Sequence, residues 1–287
     1  MLKDYPWEEI ASYLQALRKR RVPLAELFDF YEKMLFEEYR SEAKPDVSAL
    51  CGPHLEGKNR RGQPLVERPA FVIDLPSAEA LFWRLALVVK ARGREVGERV
   101  EWIEAAFQNV GEPLCGLPQL ERLLQGAAAE EGYGERMAEG PDLDPELLTF
   151  LASWSIRPSV EACAKALIPF ADLNAWYKRI CPLCGSPPKM AELKGEKWTS
   201  LRSLLCAFCG MSWPYRRLGC PFCGNQDHQQ LDLLYAEEDR RCRIETCGAC
   251  QRYIKVVDNK EFFGLIPFLE DLATPHLDLL ALERGFR

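Results

Sequence analysis

The spacing of apolar residues changes character near residue 176. Before it, apolar positions recur every three or four residues, the signature of helices buried on one face. A first helix is predicted from near Pro6 to about Arg21. Pro23 then opens a second, in which Leu24, Leu27, Phe28, Tyr31 and Leu35 share a face. Ser77 reads as the N-cap of an apolar helix Ala78–Arg92, with Gly93 as its stop. Another helix is expected over Glu95–Val110. Asp144 caps one with Pro145 at its first position, and a further helix follows Pro158, ending near Pro169. The polar stretch Ser41–Pro69 reads as a long loop of functional or mobile character. The small, acidic Gly126–Gly140 reads as a mobile connection. Residues 1–175 are therefore expected to form a bundle of six to eight helices.

After Tyr177 the pattern shortens to alternation, the mark of half-buried strands. Strands are predicted at Lys189–Leu193, Leu201–Leu205, Leu231–Tyr235 and Arg241–Thr246. Helix returns at the end, where Thr274 and Pro275 read as cap and first turn, leading through Leu277, Leu280 and Ala281 to Gly285. The predicted class is α+β: an N-terminal helical bundle (1–175), two small modules (176–219 and 220–260), and a C-terminal helical segment (261–287).

Composition narrows the class. No apolar run reaches the ~18–20 residues of a membrane span, and MLKDYPWEEI lacks the basic start and apolar core of a secretory signal. A cytoplasmic protein is expected. The net charge of −6 is uneven: residues 1–175 carry 21 basic and 29 acidic side chains, the remainder 16 and 14. An acidic N-terminal half argues against broad affinity for nucleic acid, where phosphate contacts dominate. The run Glu98, Glu101, Glu104 reads as a solvated helical face.

Cysteine placement carries the chemistry. Of twelve cysteines, eight fall in Cys-x-x-Cys pairs after residue 180: Cys181/Cys184, Cys206/Cys209, Cys220/Cys223 and Cys247/Cys250. In a cytosolic chain such pairs indicate metal or redox chemistry rather than disulfides. The first and third pairs open with CPLCG and CPFCG, 39 residues apart, and the second and fourth lie 41 apart. This is an internal duplication whose unit is knuckle, hairpin, knuckle. Two residues between cysteines let both thiolates reach one ion, and Gly185 and Gly224 supply the positive φ of the tight turn. Four thiolates make a closed tetrahedral site, suited to structural zinc or rubredoxin-type iron, with no position left for water or substrate.

Four pairs can be matched in three ways. The duplication favours neighbours, Cys181, Cys184, Cys206 and Cys209 on one ion and Cys220, Cys223, Cys247 and Cys250 on the other. A cross-braced match would join the first pair to the third. Spacing does not separate iron from zinc. Cys51, Cys115, Cys163 and Cys242 stand outside the pattern. Cys163 reads as an inert core residue and Cys242 as a strand residue packed under a ribbon. His54, His228 and His276 lack ligand spacing. There is no P-loop, strand–helix GxGxxG or nucleophile–base motif, so no enzyme activity is expected.

The order of these features resembles the formate dehydrogenase accessory protein family, FdhE. The resemblance rests on CPLCG and CPFCG, each followed by a second pair at Cys206/Cys209 and Cys247/Cys250. It extends to the ending DLATPHLDLLALERGF (Asp271–Phe286) and to FVIDLPSAEALF (Phe71–Phe82). It implies a cytoplasmic assembly factor with two rubredoxin-like modules able to hold iron. Such a factor contacts the catalytic subunit of a respiratory formate dehydrogenase before twin-arginine export. Two other readings stand beside it. One is a nucleic-acid-binding zinc ribbon, drawn from Trp213, Tyr215, Arg216, Arg217, Arg240, Arg241, Arg243, Arg252 and Tyr253, whose arginines could equally pair with Glu237, Glu238 and Asp239. The other is an electron-transfer or thiol-redox module.

Overall fold

The computed structural model describes residues 1–108, 117–130, 143–195, 201–236 and 239–287. It divides into two compact units: residues 1–54 with 66–169, and residues 55–65 with 170–287. The predicted positions Asn109, Val110, Cys115, Glu237 and Glu238, and the segment 131–140 of the expected connection, lie outside the described residues.

The first unit is helical. Its elements are α1 (Trp7–Arg20), α2 (Ala25–Tyr39), α3 (Leu75–Lys90), α4 (Arg94–Gln108), α5 (Leu117–Ala129) and α6 (Pro145–Leu167). Helices α3 and α6 form the centre. Leu81, Phe82, Leu85 and Ala86 of α3 and Leu151, Ala152, Cys163 and Ala164 of α6 are all fully buried. Pro23 sits in a single 3-10 turn, Val22–Leu24, and α2 begins just after it.

Three expectations change here. Helix α3 is capped by Asp74, not Ser77: the Asp74 carboxylate accepts the Ser77 N–H at 3.3 Å. Pro76 needs no N–H partner in a first turn, so the helix can start before it. Pro158 does not divide two helices but lies inside α6, which runs 23 residues. Its ring and missing N–H would cost an isolated helix about 3 kcal/mol. Here Ser155, Ile156, Ser159 and Val160 around it are buried, and packing outweighs local propensity. Third, Gly126 belongs to α5, whose Leu120, Leu123, Leu124 and Ala127 form a buried stripe.

The second unit is built on one six-stranded sheet. Its strands are β1 (Pro188–Lys194), β2 (Leu201–Cys206), β3 (Ser212–Tyr215), β4 (Leu231–Ala236), β5 (Asp239–Cys247) and β6 (Arg252–Asp258), in the order β3-β2-β1-β6-β5-β4. Each repeat is an antiparallel meander. The two meanders join where β1 runs parallel to β6, with Met190 opposite Lys255 and Leu193 opposite Asp258. The second meander is thus set beside the first without being turned round. Two short helices follow, α7 (Pro267–Leu272) and α8 (Pro275–Glu283), where one was expected. Thr274 stands at the N-cap of α8, but its hydroxyl donates back to the Glu270 carbonyl at 2.7 Å.

The polar stretch after Ser41 is divided between the units. Residues 55–65 belong with the sheet. Asn59, buried, holds this excursion in place: its amide donates to the carbonyls of Gln63 and Pro182, and its oxygen accepts the Asp172 N–H. The Leu65 N–H also donates to the Pro182 carbonyl, at 2.9 Å.

Candidate metal centre

Each cysteine pair sits on a turn whose backbone bonds are set by its own sequence. In the first knuckle the Gly185 N–H donates to the Cys181 carbonyl and the Cys181 N–H to that of Ser186. In the third, Gly224 and Asn225 do the same around Cys220. Gly185 and Gly224 have φ of 73° and 81°, as their position after the second cysteine predicts. Gly210 fills that place in the second knuckle, and in the fourth it is Gln251, with φ of 55°. Backbone N–H groups turn toward sulfur: Phe208 and Cys209 donate to Cys206, and Phe222 and Cys223 donate to Cys220.

The structure brings neighbouring pairs together. Cys181, Cys184, Cys206 and Cys209 form one group and Cys220, Cys223, Cys247 and Cys250 another, and each group could hold a metal ion. In the first group the sulfurs of Cys181 and Cys209 are 3.6 Å apart, those of Cys184 and Cys206 3.5 Å, and those of Cys184 and Cys209 3.7 Å. In the second, Cys220 and Cys250 are 3.6 Å apart and Cys223 and Cys247 3.7 Å. A tetrahedron of sulfurs with metal–sulfur bonds of ~2.3 Å has edges of about 3.8 Å, so both groups fit a four-coordinate thiolate ion. These cysteines are free thiols. The donor set alone, four soft sulfurs, suits zinc or iron and excludes magnesium or calcium.

Electrostatics within each group already favour a thiolate. Hydrogen bonds from the sulfurs of Cys181, Cys206 and Cys209 draw Cys184 far below the ordinary thiol range. Burial pushes Cys181 well up. At the second group burial opposes ionisation of Cys247, but the Cys250 N–H and the Cys223 thiol outweigh it, and its pKa falls to about 7. Cys250 is pushed up to about 12 by burial and by its bond with Cys220. Loading either group with an ion would displace the remaining protons.

The other sequence candidates are placed elsewhere. Cys163 is fully buried, its thiol donating to the Val72 carbonyl, and burial raises its pKa. Cys242 is buried on β5, with its sulfur 3.6 Å from the Glu270 carboxylate. His54 and His228 are exposed and His276 is half-buried on α8. The basic and aromatic residues of the sheet are mostly committed internally. Trp213 donates to the Lys178 carbonyl, Tyr253 to Asp278, and Tyr215 to the Cys220 carbonyl. Glu245 on β5 meets Arg202 of β2 at 2.8 Å, Arg243 at 3.0 Å and Arg217 at 3.7 Å, and Arg243 also meets Asp258. Arg241 pairs with Asp239. Sequence reading did not find Glu245 or Asn59. Neither stands in a motif, and only the sheet order and the excursion of residues 55–65 reveal their roles.

Among the described residues, no helix is long and apolar enough to cross a membrane. Comparison with known proteins accounts for the whole chain. The FdhE central domain matches residues 180–217, and the FdhE C-terminal domain matches residues 218–287. A protein FdhE homolog from Aquifex aeolicus is 39% identical over the full length of this chain and 94% of its own. One from Pseudomonas aeruginosa is 34% identical, over 66% of this chain and 64% of its own. The crystal structure of the FdhE protein from Pseudomonas aeruginosa shares the fold, with a TM-score of 0.63, 20% identity, and cover of 98% of this chain and 92% of that one. Helices, tandem cysteine knuckles and full-length similarity agree: the chain belongs to the FdhE family.

Proposed function

We propose that this protein is a non-enzymatic maturation factor for a respiratory formate dehydrogenase. It acts in the cytoplasm on the catalytic subunit before twin-arginine export. The observation that carries the reading is the pair of closed four-thiolate groups, each lacking an open coordination position, in a chain of the FdhE family. Cys181, Cys184, Cys206 and Cys209 are the ligands of one ion, and Cys220, Cys223, Cys247 and Cys250 those of the other. A bound zinc or iron ion would tie the two knuckles of each unit together, and its binding energy would become folding energy. The sheet then presents a fixed surface to the client, while the helical unit (within 1–175) is free to supply further contacts.

The test is genetic and biochemical. Deleting the gene should abolish respiratory formate dehydrogenase activity, and the tagged protein should capture the catalytic subunit from cytoplasmic extract. Full activity in the deletion strain would reject the reading. Elemental analysis and a visible spectrum of the purified protein assign the ion.

A further inference from the structure

The second unit has a cleft of about 600 Å³ whose lining carries four cations, Lys178, Arg179, Arg216 and Arg252. No carboxylate lines it, and none of the four has a carboxylate partner among the described residues. Other cations of this unit are paired. Arg202, Arg217 and Arg243 meet at Glu245, with Arg243 also on Asp258, while Arg241 pairs with Asp239 and Lys255 with Asp271 and Asp278. Four like charges around one concavity repel, and a partner anion relieves that cost.

The cations are also held in position. Arg216 lies over the Tyr215 ring with its guanidinium carbon 5.5 Å from the centroid, and Arg252 lies over Phe222 at 5.1 Å. Stacking fixes each planar fork and leaves its N–H edge to grip a carboxylate. Arg179 donates to the Phe222 carbonyl, which ties the floor of the cleft to its wall. Tyr177, 70% exposed, and Ile180, 36% exposed, add apolar surface at the rim. The two cysteine units share the cleft: Pro187 follows the first knuckle, and Pro221 and Phe222 lie within the third.

We infer that this cleft is a docking site for an extended, acidic protein segment, whose carboxylates pair with Arg216 and Arg252 and whose apolar side chain packs against Tyr177 and Phe222. The size is that of a ligand pocket, which suits a few residues of chain rather than a folded surface. A nucleic-acid strand fits less well, because its backbone needs a continuing basic track. Arg217, Arg202 and Arg243 do not extend one, being paired. Arg240 stands at the far end of β5, since Cys247 is the residue opposite Arg252. The inference rests on the client-binding reading above only for the source of the segment, which is the client subunit.

The experiment uses the full-length, metal-loaded protein and a fluorescein-labelled peptide rich in Asp and Glu with one Phe, read by fluorescence anisotropy. Saturable binding that weakens with added salt is expected. Arg216→Glu with Arg252→Glu should weaken it by on the order of tenfold or more. Both side chains are exposed, so metal content and melting temperature should not move. Arg94→Glu, on an exposed residue of α4, should leave binding unchanged. Absence of binding at low salt, or equal affinity in the double variant, overturns the proposal. So does a labelled oligothymidine that binds more tightly than the peptide and is lost by the same reversal. In a capture assay, a double variant that retains the catalytic subunit as well as wild type overturns the cleft and leaves the proposed function standing. A wild-type protein that captures nothing defeats the function, while the peptide titration still decides the cleft.

Discussion

The two cysteine groups share donor type and Cys-x-x-Cys spacing, yet they differ in enclosure. All four cysteines of the first are buried, whereas in the second Cys223 is exposed and Cys250 half-buried. Residues 55–65, an excursion of the N-terminal sequence, add cover to the first knuckle: they bond to the Pro182 carbonyl through Leu65 and Asn59 and bring Pro64 against Gly185. In the second group the corresponding glycine, Gly224, faces the side chain of Arg179 instead. Duplication supplied two like groups, and an unrelated stretch of chain adds cover to one of them. A buried site exchanges its ion through local opening of its cover, and an exposed one need not wait for it.

The comparison breaks most sharply under ligand loss. Cys184→Ser should remove the first ion and, with it, on the order of 10 kcal/mol of metal-linked stability, so that the sheet unit fails to fold. Cys223→Ser should remove only the second ion and leave the first in place. Metal per chain and thermal melting separate the two outcomes, and equal damage from both would erase the asymmetry. Next in size is the link between the repeats. Glu245→Gln should cost about 3–5 kcal/mol, because it leaves the Arg202 side chain, fully buried, without its countercharge. Both groups should then lose their ions at the same lower denaturant concentration.

Smaller effects sharpen the contrast. Asn59→Ala should cost about 1–3 kcal/mol by removing the three hydrogen bonds of a buried amide, two donated to the Gln63 and Pro182 carbonyls and one accepted from the Asp172 N–H. Under challenge with a chromogenic chelator, wild type should release one ion early and one late, and this variant should bring the late phase forward. Smallest is a pH effect confined to the second repeat. Lys255 on β6 is buried, and although burial itself favours the neutral amine, pairing with Asp271 and Asp278 raises its pKa. Its contribution is therefore complete below the ordinary value of about 10.5 and is lost as pH climbs through the raised one. Melting curves of wild type and Lys255→Met from pH 8 to 11 should converge toward the alkaline end.

What could be read from sequence was local. Cysteine pairs with two residues between them, Gly185 and Gly224 after them, Asp144 before Pro145, and four of the six strands all depend on neighbours in the chain. The misreadings share the opposite property. Pro158 inside α6 looks like a break until the burial around it is known. Ser77 looks like a cap until Asp74 is seen to reach its N–H. The parallel seam of β1 and β6 joins residues more than sixty positions apart without a turn to announce it. Asn59 is an ordinary polar residue in an ordinary loop, and only its three bonds show what it holds.

That seam also bears on copy number. Setting one meander beside another without rotation is a head-to-tail rule, and such a rule has no natural end: a third unit, or a second molecule, could be added in the same way. The edges oppose such addition. On β3, Pro214 withholds one backbone donor from any incoming strand. On β4, the Asp232 carboxylate already occupies the Leu233 N–H at 2.7 Å. Both outer strands are thus poor templates for an incoming strand, and replacing Pro214 and Asp232 together should favour edge-to-edge association between molecules.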